Sequence, residues 1–310
     1  MTSIINVSGK RPEIWATEPQ QYTATQLEML MKKILVPVDF SENAEKALSS
    51  AIRIADKTKA QLLVLFVYHP YINDVALPEY IGSLEIYKEL EASYREKLDE
   101  AVALARQKGI RAEGIWATGG TQPAILHHAR ENQVDLIVMG RTGQGGFLDK
   151  LLGSNSAAIA TEADCAVLII PPKAVDADFR NIVYATQLEF DEKPVLAQAI
   201  GLARQLKARI TFVKISSDQQ LNIQPDGQYI QEMKEYFGIP SEDIVVRDAD
   251  SVMEGLQTHC HETSADMLIL CRRDKNLLQL LLNGPGLSRK LALSTDTPLL
   301  VCQLKEQKTA

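Results

Sequence analysis

The chain has 310 residues, 45% of them hydrophobic and 24% charged, with a formal net charge of −7. That length has room for about two domains of roughly 100–200 residues each, and the composition excludes a disordered or collagenous chain. Acidic and basic residues are mixed along the sequence, which argues against a broad nucleic-acid surface, because such a surface shows a basic stripe.

A nucleotide ligand stays open, since one local cluster of backbone N–H groups holds phosphate whatever the total charge. The four cysteines, Cys165, Cys260, Cys271 and Cys302, show no CxxC spacing. A metal knuckle or thioredoxin-like pair therefore has little support, and reduced, mostly buried thiols in the cytoplasm are expected. No apolar run reaches the roughly 18–20 residues that a membrane span needs. Residues 1–30 are polar, with Pro12 and Pro19, and lack the apolar core and cleavage site of a signal peptide. They read as a flexible arm, a latch over the domain, or sequence upstream of a start at Met31.

From Met31 the pattern becomes regular. Ile34–Val38 is a short β-branched strand ending at Asp39, and Ser41 is an N-cap for a helix with apolar residues at Ala44, Leu48, Ala51, Ile52 and Ala55. Gln61–Val67 is a continuous apolar run, as in a strand buried on both faces. A helix from about Ser83 to Lys108 leads to a strand over Ile110–Ala117. Pro123 then opens another helix, where its missing N–H costs nothing. Strands at Asp135–Met139 and Ala166–Ile170 complete a set of five. Strands separated by helices predict right-handed crossovers and a parallel, doubly wound α/β sheet.

Pro171 and Pro172 close this unit, and the pattern restarts at Asn181–Ala185, which lies on Lys33–Pro37 with an offset of 148 residues. The offset holds without a gap through the next helix and strand, pairing Ile34, Leu48, Ala55 and Lys59 with Ile182, Leu196, Ala203 and Lys207. Later, Ala265–Cys271 lies on Val134–Gly140 and Thr297–Cys302 on Cys165–Ile170. A repeat this long is a duplicated domain, because solenoid periods are only about 20–50 residues. The predicted units are 31–173 and 178–305, the second shortened at its middle helix near Gln228–Phe237.

The segment Gly140–Ser156 (GRTGQGGFLDKLLGSNS) follows directly on the strand ending at Met139. It sits at the carboxyl end of a parallel strand, where open α/β sheets bind ligands. Gly140 and Gly143 allow a tight turn that presents N–H groups to an anion. Gly153 and Ser154 precede the next helix, Asn155 onward, whose N-terminus suits phosphate, and the hydroxyls of Ser154 and Ser156 add donors. The same glycines also fit a plain strand-to-helix loop. No GxxxxGK[ST] is present and no GxGxxG follows the first strand, which removes the P-loop and the dinucleotide fingerprint. Pro37-Val38-Asp39 ends a strand that borders the same crevice. Asp39 fits a ribose or a hydrated Mg²⁺, and it fits equally a turn or N-cap aspartate.

Together the VPVDFS element, the strand DLIVMG and a loop fitting G-x2-G-x9-G-[ST] at Gly140, Gly143, Gly153 and Ser154 resemble the universal stress protein family, in a tandem form from Met31 to about Leu304. The resemblance implies two five-stranded sheets of order 3-2-1-4-5 and an ATP site, with or without Mg²⁺. It implies that the backbone of Val38 and Val67 flanks adenine. Asp39 and Gly140 would meet ribose, Gly143, Gly153, Ser154 and Ser156 the phosphates, and Met139 and Arg141 would wall the site. Members pair through the last strand. Here Ala166–Ile170 and Leu299–Gln303 are expected to pair within one chain as an internal pseudo-dimer, and a homodimer of whole chains is a further option.

The second copy departs from the pattern. Gln187 replaces Asp39, Ala185 replaces Pro37, Cys271 replaces Gly140 and Asp274 replaces Gly143; Gly284 survives, but Pro285 replaces Ser154. Each change removes a donor or a turn, or adds negative charge near phosphate, so one ATP site per chain is expected. His127 and His128 read as partly exposed helix residues, and in His259-Cys260-His261 only His259 with Glu262 or Thr263 would share an ion. No paired carboxylates, Ser-His-Asp order or nucleophile elbow is present. A regulatory ATP-binding protein is the leading reading; a slow ATPase or self-phosphorylating enzyme, and a carrier of a small molecule or lipid in the second copy, are the alternatives.

Overall fold

A computed structural model describes residues 31–69, 85–141, 154–174, 178–186, 193–217, 227–272 and 296–303. The apolar run Lys33–Val38 forms β1 and Gln61–Tyr68 forms β2. Along β2, Leu62, Val64, Phe66 and Tyr68 enter one core while Leu63 and Leu65 enter the other. A strand apolar at nearly every position is stable only when both faces are covered.

Between them, α1 (Glu42–Thr58) begins where expected: Ser41 Oγ accepts from Ala44 N at 3.3 Å, and Lys59 closes the helix in the left-handed conformation at φ 60°. The second helix, α2 (Glu85–Gln107), is followed by Gly109 at φ 78°, and Ile110 N donates to Ala105 O. That pattern is a glycine-terminated helix end with a buried apolar residue just beyond it. It explains why β3 runs over Ala112–Thr118 rather than from Ile110: Ile110 belongs to the cap. Next, α3 spans Thr121–Glu131. It starts two residues before Pro123, which sits in the first turn where no N–H is needed. The strands β4 (Leu136–Gly140) and β5 (Ala166–Ile170) flank α4 (Ser154–Glu162).

Among the described residues the second series repeats this order as far as its fourth strand and resumes at its fifth: β6 (Asn181–Ala185), α5 (Lys193–Leu206), β7 (Arg209–Ser216), α6 (Gly227–Phe237), β8 (Ile244–Asp248, after a 3-10 turn over Ser241–Asp243), α7 (Val252–Glu262), β9 (Met267–Arg272) and β10 (Leu299–Gln303). The ten strands among the described residues form one sheet in the order β3-β2-β1-β4-β5-β10-β9-β6-β7-β8. Each series therefore has the internal order 3-2-1-4-5, and all neighbours within a series are parallel. The two series meet at β5 and β10, which run antiparallel with Leu300 opposite Leu168.

The sequence repeat is matched by register. Lys33 pairs with Gln61 as Asn181 pairs with Arg209, and Ile34 with Leu136 as Ile182 with Met267. Left-handed residues recur at equivalent positions, Lys59 with Lys207 and Gln133 with Ser264. An aspartate latch recurs as well. The Asp135 carboxylate accepts from Lys32 N and Lys33 N at 2.8 and 3.0 Å, and that of Asp266 from Arg180 N and Asn181 N at 2.7 and 3.0 Å.

On one face a single core runs through both series, because the antiparallel junction brings α1 beside α5. The opposite face is divided, with one core under α3 and α4 and another under α7. Lys57 Nζ donates to Asp178 O, and Lys46 Nζ to Pro172 O, tying α1 to the connecting segment.

Candidate functional site

From β1 the chain winds to β2 and β3 on one side, then crosses back to β4 and β5 on the other. The crevice outside the carboxyl ends of β1 and β4 is thus the switch point at which open α/β sheets bind ligands. A cavity of about 230 Å³ lies there. Its walls include Pro37, Val38, Asp39 and Ser41 at and just beyond the end of β1, Val67 and His69 at that of β2, Met139, Gly140 and Arg141 at that of β4, and Thr121, Ile125 and Ser156 from helices. Of the residues singled out from sequence, Pro37, Val38, Asp39, Val67, Met139, Gly140, Arg141 and Ser156 meet in this one space. Ser154 and Asn155 open α4. Gly143 and Gly153 lie outside the described residues, as do Gln187, Asp274, Gly284 and Pro285 of the second series.

The geometry refines four of these residues. Asp39 holds the turn before α1: its Oδ1 accepts from Ser41 N at 3.0 Å and from Ser41 Oγ at 2.6 Å. The turn-forming reading of this aspartate is therefore realised at the same position that borders the cavity. Phe40, between them, has φ 59°, a costly conformation for a bulky residue. Its ring stacks on Phe66 at 4.9 Å and continues through Tyr94, which holds the turn in place.

Gly140 is not at a turn. It is the last residue of β4, paired with Ile170, and its φ lies outside the left-handed region. Glycine is needed there for space, because a Cβ would stand 2.8 Å from Asn43 O in the first turn of α1. Ser156 is buried, and its Oγ donates toward Gly140 O at 3.2 Å and Arg141 O at 3.4 Å. A hydroxyl has one proton, so here it serves the strand end rather than the cavity. Arg141 N continues the ladder by donating to Ile170 O. Burial pushes the Arg141 guanidinium below its ordinary value, and the Asp296 carboxylate opposes that shift.

His69 and Thr121 were not singled out from sequence, yet they join across the cavity mouth, with His69 Nε2 2.9 Å from Thr121 Oγ1. The signal available was positional. His69 directly follows β2 and Thr121 begins α3, so both stand at the carboxyl edge of the sheet. A larger cavity of about 400 Å³ lies between α1 and α2, bordered by Phe40, Leu48, Lys97 and Leu104. Only Val38 of the expected residues reaches it.

The second-series candidates disperse. His259 is buried, and Glu262 pairs with Arg247 rather than sharing an ion with it. Burial pushes the Cys260 and Cys302 thiols up to about 12. Ala185 ends β6, and Cys271 lies on β9 in register with Cys302.

A family model for the universal stress proteins matches residues 31–171. Universal stress protein YxiE of Bacillus subtilis is 34% identical over 148 residues, which cover 46% of this chain and 99% of that protein. The chain belongs to the universal stress protein family. Universal stress protein MJ0531 of Methanocaldococcus jannaschii is 33% identical over 146 residues, covering 46% of this chain and 84% of the relative. The crystal structure of a universal stress protein from Archaeoglobus fulgidus superposes with a TM-score of 0.68 at 20% identity, covering 89% of this chain and 98% of the other. That likeness extends the universal stress protein fold across both series. No helix among the described residues is long and apolar enough to cross a membrane.

Proposed function

We propose that this universal stress protein binds one adenine nucleotide, ATP with or without Mg²⁺, in the crevice of its first series. Occupancy would set its shape or choice of partner during the cytoplasmic stress response. The observation that carries this reading is the convergence of Pro37–Asp39, Val67 and Met139–Arg141 on one cavity at the switch point of the sheet. Its volume, about 230 Å³, is just under the roughly 300–1,000 Å³ of small-molecule sites and suits the nucleoside end. The segment carrying Gly143 and Gly153 follows directly from Arg141, and in this reading it receives the phosphates with the N-terminus of α4.

The units 31–173 and 178–305 are duplicated domains in this account. The antiparallel β5–β10 junction supports reading them as an internal pseudo-dimer, and in this reading the second domain, with Cys271 in place of Gly140, does not bind ATP. The test is mass spectrometry of ligands retained by the purified protein, wild type beside Gly143→Asp, with thermal unfolding in added ATP. Ligand at 100 times its Kd stabilises by about 2.7 kcal/mol. Absence of any retained adenine nucleotide together with no stabilisation by ATP sinks the reading. Phosphate release from ATP, abolished in Gly143→Asp, would move the assignment to an ATPase.

A further inference from the structure

The C-terminal part of α3 carries two adjacent imidazoles, His127 and His128, and the carboxylate of Glu131, the last two in its final turn. Adjacent residues on a helix point about 100° apart, so the two histidines by themselves do not face a common ion. Glu131 stands four residues after one and three after the other, between them on the helix surface. Its Oε2 lies 3.4 Å from His127 Nε2 and 3.4 Å from His128 Nδ1. One ligand atom from each of the three residues lies within 4.8 Å of the other two. Bonds of about 2.0–2.2 Å from zinc to His nitrogen and carboxylate oxygen, at tetrahedral angles, set donor–donor edges of about 3.3–3.6 Å. Two of the three edges already have that length, and the edge between the two histidines is the one left to close.

We propose that His127, His128 and Glu131 bind one divalent transition-metal ion, zinc being the fitting case, through Nε2, Nδ1 and Oε2, with the fourth position open to water. The donor set of two imidazoles and one carboxylate is one that zinc accepts readily. The site lies at a helix C-terminus, whose partial negative charge favours a cation. The neighbouring Arg130 is directed away, its Nε 2.7 Å from Asp164 Oδ2. The second series lacks the tripod: His259 and Glu262 recur at equivalent places, but Thr258 replaces His127 and Glu262 pairs with Arg247. The proposal is independent of the nucleotide reading.

The experiment is calorimetric titration of tag-free, chelator-stripped full-length protein with Zn²⁺ alone. One ion per chain is expected at about pH 7.5, where neutral imidazole is available to ligate. His127→Ala and Glu131→Gln should each weaken binding by at least the roughly 10- to 100-fold that loss of a ligand's outer partner costs. His261→Ala, an exposed histidine elsewhere, should leave binding unchanged. Both test side chains are mostly exposed (68% and 60%), so the variants should keep the wild-type melting temperature. Failure of wild type to bind Zn²⁺ below about 1 mM, or unchanged binding in both tripod variants, overturns the proposal.

Discussion

Gly140→Ala tests why the last position of β4 is a glycine. An added Cβ would stand 2.8 Å from Asn43 O, 2.9 Å from Asn43 C and 3.1 Å from Asn43 Cβ. Ordinary contacts are about 3.5–4.0 Å, so β4 and the first turn of α1 must separate by roughly half an ångström. Two of the three obstructing atoms are main chain and cannot rotate away. Strain from an inserted methyl group typically costs about 1–3 kcal/mol. At roughly 2–4 °C per kcal/mol for a cooperative unit of this size, the melting temperature should fall by about 2–12 °C. The same displacement moves the Asp39–Ser41 turn, which feeds α1 and borders the cavity. Under the proposed nucleotide reading, ATP affinity should therefore fall by roughly tenfold, equivalent to about 1.4 kcal/mol. Scanning calorimetry and ATP titration measure the two effects. Gly227→Ala is the control: it opens α6, has no atom within 4 Å of its Cβ site and has an ordinary φ. That variant should melt at or slightly above the wild-type temperature. If Gly140→Ala melts within about 1 °C of wild type, the steric account is refuted, because the strain range leaves no room for so small a shift.

Three further outcomes are expected. Ser41→Ala removes both the cap to Ala44 N and the hydroxyl donor to Asp39 while keeping the backbone one, and should cost about 0.5–2 kcal/mol in urea unfolding; an unchanged midpoint contradicts the capping role. Alkylation of the native protein, mapped by mass spectrometry, should label the half-exposed Cys271 first. Cys260 and Cys302, whose thiols are pushed up to about 12, should react only on unfolding. Early labelling of Cys302 would show that β10 is not packed as described. Burial, with the charge of Arg247 added, pushes His259 below the ordinary histidine value against the opposing Glu262. The unfolded chain then takes up the proton first. The contribution of this group is thus complete above about pH 6.5 and is lost as pH falls through the folded value. Acid destabilisation below about pH 6.5 should be shallower in His259→Asn, and an unaltered pH profile rules this group out as its source.

Much of the site could be read from the chain because its ingredients are local. The Ser41 cap, the apolar β2 and the place of Gly140 at a strand's carboxyl end are each written within a dozen residues. Fold class follows from the same local signals, since helices between apolar strands leave few ways to cover both faces. Boundaries shifted where a neighbour intervened. Ile110 reads as strand until Gly109 turns it into the seal of α2, and Thr121 precedes the proline that seemed to open α3.

That the fold is repeated can be read without coordinates, since one offset carries the apolar pattern through the first strand, helix and second strand, and the β1–β2 and β6–β7 registers follow it; the latch aspartates Asp135 and Asp266 recur at a smaller offset because the second copy is shorter. The sequence by itself also determined which copy keeps the glycines, because substitutions such as Gly140 to Cys271 are visible without coordinates. Only the tertiary structure decided what those residues do for one another. Gly140 is required by Asn43, a residue almost a hundred positions earlier in the chain. Ser156 turns its proton to Gly140 O, and His69 meets Thr121 across a crevice that no sequence window contains. The physical reason is that periodicity reports which face of an element is apolar, whereas packing decides which element lies against that face and how close the two approach.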